Sequence, residues 1–125
     1  MKIFLSLSSV ILLIFLSACG ISTEGYRNVS SEEAKKLIDN KKVVVLDVRT
    51  PEEYQEGHIP NSKLVPLQEL ESSLNELEKE KPYLVVCRSG NRSAQASEIL
   101  TSNRFSKIYN MTGGMNTWGY DIEKE

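Results

Sequence analysis

The sequence predicts an α/β fold: a single domain with a mostly parallel central sheet flanked by helices on both faces. Three observations carry that expectation. Val43-Val44-Val45-Leu46-Asp47-Val48 and Tyr83-Leu84-Val85-Val86 are nearly continuous apolar runs, as expected of strands buried on both faces. Helical patterns with capping signals alternate with these strands along the chain. The 125 residues, 40% hydrophobic and 26% charged, leave room for one domain with an ordinary core.

The chain opens differently. Lys2 is followed by an apolar run from Ile3 to Leu16 and then by Leu16-Ser17-Ala18-Cys19-Gly20. A short positive region and an h-region of this length read as a signal peptide rather than as a helix of a folded domain. Small residues before the cysteine resemble a bacterial lipobox, which implies cleavage after residue 18 and lipidation of Cys19. The expected localisation is the extracytoplasmic face of the cell membrane, with the protein held there by lipid. An uncleaved span remains an alternative, since Ile3 to Ile21 is an uncharged stretch of 19 residues. Cleavage as an ordinary secretory peptide is another. Loss of residues 1–18 removes Lys2 and no acidic residue, so 15 basic side chains become 14 against 17 acidic. Residues 19–28 read as a tether, whose reach of at most about 30 Å keeps the domain near the membrane surface.

The folded domain is expected over 29–125. Ser30 and Glu33 form a capping-box signal for a first helix with Ala34, Leu37 and Ile38 on one face, ended by Asn40. Thr50-Pro51-Glu52-Glu53 starts a second helix by the same device, with Pro51 at its first position. Gly57-His58-Ile59-Pro60-Asn61-Ser62 is a turn-rich loop, and Leu64-Val65-Pro66 a short edge strand. Leu67, Leu70, Leu74 and Leu77 predict an amphipathic helix over 67–80, broken by Lys81-Pro82. After the strand 83–86 come a helix over 93–103, a strand over 107–111, and a Gly113-Gly114 turn into a segment carrying Met115 and Trp118.

Cys87-Arg88-Ser89-Gly90-Asn91-Arg92-Ser93 joins a strand to a helix. Open α/β sheets place their ligands at this end of their strands. Turn amides and the positive end of the helix dipole favour a thiolate there, and Gly90 allows a turn tight enough for several N–H groups to converge. Arg88 and Arg92 add two cations. The pattern points to an anion-cradling loop around a nucleophilic Cys87, with Ser93 expected as a helix cap. The single histidine, His58, excludes a multi-histidine metal site, and the net charge of −2 gives no reason to expect nucleic-acid binding.

Asp47-Val48-Arg49, Thr50-Pro51-Glu52-Glu53-Tyr54, Gly57-His58-Ile59-Pro60, the cysteine loop, and Gly113-Gly114 with Trp118 occur in the order and spacing of a single-domain rhodanese. The chain resembles that family over residues 29–122, departing at Asn61-Ser62, where many relatives carry Gly-Ala. The resemblance implies a thiosulfate sulfurtransferase working through a Cys87 persulfide, without metal or organic cofactor. Arg88, Ser89, Gly90, Asn91, Arg92 and Ser93 would bind a small anionic sulfur donor, thiosulfate or a persulfide. A thiol or cyanide would be the acceptor, and a monomer is the expected state.

Phosphatases and arsenate reductases share this fold but place five residues between cysteine and arginine. Four separate Cys87 from Arg92, which suits a single sulfur atom better than a tetrahedral oxyanion. A non-enzymatic binding or sulfur- and redox-sensing module at the cell envelope is the other reading. Asp47, Arg49 and His58 read as structural, with Asp47 and Arg49 expected to pair with Glu52 or Glu53. Trp118 reads as a cover over the core. With Cys19 lipidated, Cys87 is the lone free thiol, so any sulfur it accepts must leave to another molecule.

Overall fold

The computed structural model of the protein describes residues 25–125. The signal peptide assigned to 1–18, the lipidation of Cys19 and the tether up to residue 24 lie outside the described residues.

Among the described residues, five strands form one sheet: β1 (Arg27–Val29), β2 (Val44–Asp47), β3 (Lys63–Leu64), β4 (Tyr83–Val86) and β5 (Ile108–Met111). All pairings are parallel, in the order β1-β5-β4-β2-β3. Four helices of the described residues alternate with them: α1 (Ser31–Asp39), α2 (Pro51–Glu56), α3 (Leu67–Ser73) and α4 (Asn91–Ser102). Because successive side chains of a strand point to opposite faces, the sheet builds two cores. Leu46, Val48, Val85 and Cys87 pack with Leu70, Ala96 and Leu100 from α3 and α4. Val45, Leu84, Val86 and Met111 pack on the other side with Ala34 of α1, Ile59, Met115 and Trp118. Every residue of β4 is buried, which explains its continuous apolar run.

Both expected N-caps form, but the full capping box closes only at α2. Ser30 Oγ accepts the Glu33 amide at 3.1 Å, and Asn40 ends α1. At α2 the Thr50 hydroxyl accepts the Glu53 amide, while the Glu53 carboxylate reaches back to the Thr50 amide.

Three expectations need correction. The tether was assigned through residue 28, but Arg27 and Asn28 lie in β1, paired with Tyr109 and Asn110. Asn110 Nδ2 also donates to Asn28 Oδ1 at 3.0 Å, a pairing between residues 82 apart in the chain. The amphipathic helix expected over 67–80 stops as α3 at Ser73 and tightens into a 3-10 turn over Leu74–Glu76. Leu77 then turns extended and buries itself, and the Tyr83 hydroxyl accepts the freed Glu78 amide at 3.0 Å. Finally, α4 starts at Asn91 with Gly90 as its cap, so Ser93 lies inside the helix.

Candidate active site

Asp47 pairs with Val86 in the sheet register, so the C-terminal ends of β2 and β4 lie side by side and Cys87 leaves the sheet between its neighbours. The chain then turns through Arg88 and Ser89 to Gly90, whose φ of +100° is left-handed. Only glycine takes that conformation without strain. A Cβ at Gly90 would also stand 3.2 Å from the Gly113 amide nitrogen.

The turn aims its donors at one atom. The Gly90 amide donates to Cys87 Sγ at 3.0 Å, and Ser93 Oγ lies 3.3 Å from the same sulfur. A thiol donates to that hydroxyl; once the proton is lost, the hydroxyl rotates and donates to the thiolate. Burial pushes the Cys87 thiol up. The Ser93 hydroxyl and the amides of Ser93, Gly90 and Ser89 more than offset that, leaving it below its ordinary value. Cys87 and Ser93 are fully buried, whereas Ser89 and Asn91 are exposed, and Ser89 offers its backbone rather than its side chain to the sulfur. Among the described residues Cys87 is the one free cysteine, and no three His, Cys, Asp or Glu side chains gather to hold a metal ion.

The two loop arginines part company. Arg88 is exposed and makes no ion pair among the described residues. Arg92 lays its guanidinium on Glu53 of α2 in a two-point pair, with Nη1 2.7 Å from Oε1 and Nη2 2.9 Å from Oε2. That pair holds the Glu53 carboxyl at about 2, well below its usual range. Arg92 is therefore not the free cation its position in the sequence suggests.

Asp47 and Arg49 pair with each other rather than with Glu52 or Glu53. Arg49 Nε donates to Asp47 Oδ1 at 3.0 Å, and Arg49 Nη2 donates to Asp47 Oδ2 at 2.7 Å and to the Gly57 carbonyl at 2.8 Å. Both side chains are buried, and their geometry closes the turn after β2. His58 is held by contacts away from the cysteine loop. Its Nδ1 lies 2.7 Å from the Tyr54 carbonyl, its ring stacks on Tyr54 at 3.7 Å, and its backbone bridges to Glu123.

A further set of contacts is not legible in the sequence. A 3-10 turn over Gly114–Thr117 presses on the cysteine loop from behind: the Met115 amide donates to the Cys87 carbonyl at 2.8 Å and the Asn116 amide to the Arg88 carbonyl at 3.0 Å. Gly114 makes that approach by lacking a side chain, since a Cβ there would lie 2.4 Å from the Cys87 oxygen. Trp118 follows, half-buried against the core, with Nε1 donating to the Asp121 carbonyl.

A buried cysteine met by loop amides at the C-terminal end of a parallel strand defines the class, an α/β domain built around a single cysteine loop. Over residues 30–121 the sequence matches the Rhodanese-like domain family, and the chain belongs to that family. It is 36% identical over 83 residues to YqhL of Bacillus subtilis, spanning 66% of each chain. It is 32% identical over 93 residues to the thiosulfate sulfurtransferase GlpE of Pseudoalteromonas translucida, covering 74% of this chain and 89% of that one. Among solved structures, a rhodanese-like domain protein from Staphylococcus aureus superposes with a TM-score of 0.73 at 37% identity, covering 79% of this chain and 98% of the other. A rhodanese-related protein from Thermoplasma volcanium gives 0.74 at 38% identity over 80% and 100%.

Proposed function

We propose that this protein is a sulfurtransferase that moves a sulfane sulfur from a small anionic donor, such as thiosulfate, to a thiophilic acceptor through a persulfide on Cys87. The observation that carries the reading is the buried Cys87 Sγ with the Gly90 amide 3.0 Å away and the Ser93 hydroxyl at 3.3 Å. The naming of GlpE relatives as thiosulfate sulfurtransferases supports the substrate class.

The Cys87 thiolate attacks the outer sulfur of thiosulfate. A sulfur–sulfur bond forms to Sγ, the donor's own sulfur–sulfur bond breaks, and its electron pair leaves with sulfite. The persulfide anion is stabilised by loop amides and the N-terminus of α4. A nucleophile, cyanide or a thiolate, then bonds to the outer sulfur, and the Sγ–S bond breaks to restore the Cys87 thiolate. No net proton or electron is needed in this ping-pong cycle. Arg88, exposed and without an ion pair among the described residues, is the cation suited to gather an anionic donor.

Intact mass tests the reading. Thiosulfate should add one sulfur atom, cyanide should remove it, and Cys87→Ser should take none; an unchanged wild-type mass together with no thiocyanate formed sinks the proposal. The lipobox-like Leu16-Ser17-Ala18-Cys19 supports placing this chemistry at the outer face of a cell membrane, with the lipid on Cys19 as anchor. Cys19→Ala should then release the protein from membranes, and its retention would favour an uncleaved span.

A further inference from the structure

Arg92 occupies the second position of α4, where the first-turn amides and the helix dipole already present positive charge and a cation is disfavoured. The first turn carries no acidic residue to compensate. Compensation comes from 39 residues away, through the two-point pair with Glu53. The planar guanidinium fork fits a carboxylate in this way, which fixes orientation as well as charge. Glu53 is itself tied down, since its Oε1 also accepts the Thr50 hydroxyl at 3.2 Å within the cap of α2. It therefore holds Arg92 from a separate, anchored element. The pair is only about a quarter to a third exposed, so solvent screens it incompletely.

We infer that Glu53 is a positioning and specificity-determining residue: by pairing with Arg92 it limits the positive charge the cysteine loop offers, and so sets how tightly the loop captures an anionic donor. This rests on the sulfurtransferase reading. With Arg92 neutralised, Arg88 alone recruits the donor, while the thiolate is stabilised mainly by hydrogen bonds. An unpaired Arg92 would strengthen the loop's hold on every anion in it, including thiosulfate, the thiolate and the persulfide. Loading would gain from that hold. A thiolate of lower basicity is a weaker nucleophile when it attacks and a faster leaving group when it departs, so the added charge acts chiefly on capture of the donor.

The test compares wild type, Glu53→Gln, Arg92→Gln and the double variant in the full chain, with Glu52→Gln as a control for bulk charge. The first readout is the pH profile of Cys87 alkylation by iodoacetamide. Glu53→Gln should move its midpoint to lower pH, Arg92→Gln should move it to higher pH, and the double variant should return close to wild type. Both single variants lose the same ion pair, so a general loss of stability cannot produce opposite shifts. The second readout is steady-state kinetics: Glu53→Gln should lower KM for thiosulfate by about threefold or more, with Glu52→Gln unchanged. Shifts of the same sign in the two single variants, or Glu53→Gln behaving like Glu52→Gln, overturn the inference. Should wild type take no sulfur from thiosulfate, the sulfurtransferase reading fails separately, and the alkylation profiles still decide whether Glu53 sets the charge at Cys87.

Discussion

Ser93 Oγ lies 3.3 Å from Cys87 Sγ, and both residues are fully buried. Ser93 is thus a partner of the Cys87 sulfur rather than a cap of α4, a role that Gly90 takes. Replacing Ser93 by Ala removes a donor to the thiolate and leaves its burial in place. The charged form is then stabilised less, so the thiol pKa rises and the alkylation midpoint moves to higher pH. A hydrogen bond to a charged group contributes about 1.5–3 kcal/mol, so kcat/KM at neutral pH should fall by about tenfold or more. An unchanged alkylation profile in Ser93→Ala would show that the hydroxyl has no part in ionising the sulfur.

The shift of Ser93 from cap to partner shows where the sequence was legible. The apolar runs of β2 and β4 and the Thr50–Glu53 capping box are local patterns, each dictated by the hydrogen-bonding and burial needs of its own segment. They were readable for that reason, and with them the placement of Cys87 at a strand end. β1 was not, because Arg27 and Asn28 carry no strand pattern and gain their pairing from β5, more than 80 residues on. Arg92–Glu53 and Gly114–Cys87 are likewise contacts between distant segments. Motif order brought these residues to notice, but only the folded sheet shows which of them touch. The early end of α3 has a similar origin, since Leu77 and the Glu78 amide are claimed by the core and by Tyr83.

Gly114 backs the loop directly. Its φ is +56°, and a Cβ would meet the Cys87 oxygen at 2.4 Å and the Arg88 carbonyl carbon at 2.5 Å. Both are backbone atoms that cannot swing aside, so Gly114→Ala must displace the loop that holds the sulfur. Left-handed strain adds about 1–2 kcal/mol. Sulfur loading should fall at least about tenfold as the Cys87 geometry is lost, with the circular dichroism of the sheet and helices retained. Gly119→Ala serves as the contrast, because nothing lies within 4 Å of a Cβ there, and its loading should match wild type.

Asp47 and Arg49 form a buried pair, with side chains 1% and 7% exposed. Replacing Arg49 by Met leaves the Asp47 carboxylate buried with the Arg49 amide as its remaining donor, and removes the bond to the Gly57 carbonyl. Stranding one charge of a buried pair costs about 3–5 kcal/mol. The urea midpoint should drop accordingly with the slope unchanged. A loss below about 1 kcal/mol, the range of a surface pair, would mean that water reaches Asp47 and that the pair contributes little to closing the turn.

Glu53 and Arg92 give the fold an acid-sensitive contact. The Arg92 guanidinium holds the Glu53 carboxyl at about 2, against a usual value of 4.5. A depressed carboxyl contributes stability that is fully present above its unfolded value and is lost as pH falls through its folded one. The window therefore runs from about 4.5 down to about 2. The pair is partly exposed, so its contribution is about 1 kcal/mol or less after solvent screening. Urea unfolding of wild type and Glu53→Gln should differ by that amount at neutral pH. The difference should shrink once pH drops below 4.5 and vanish near 2, because only wild type carries the titrating group. A difference that stays constant across this window would mean that the carboxylate stabilises the fold through its place in the α2 cap and not through its charge on Arg92.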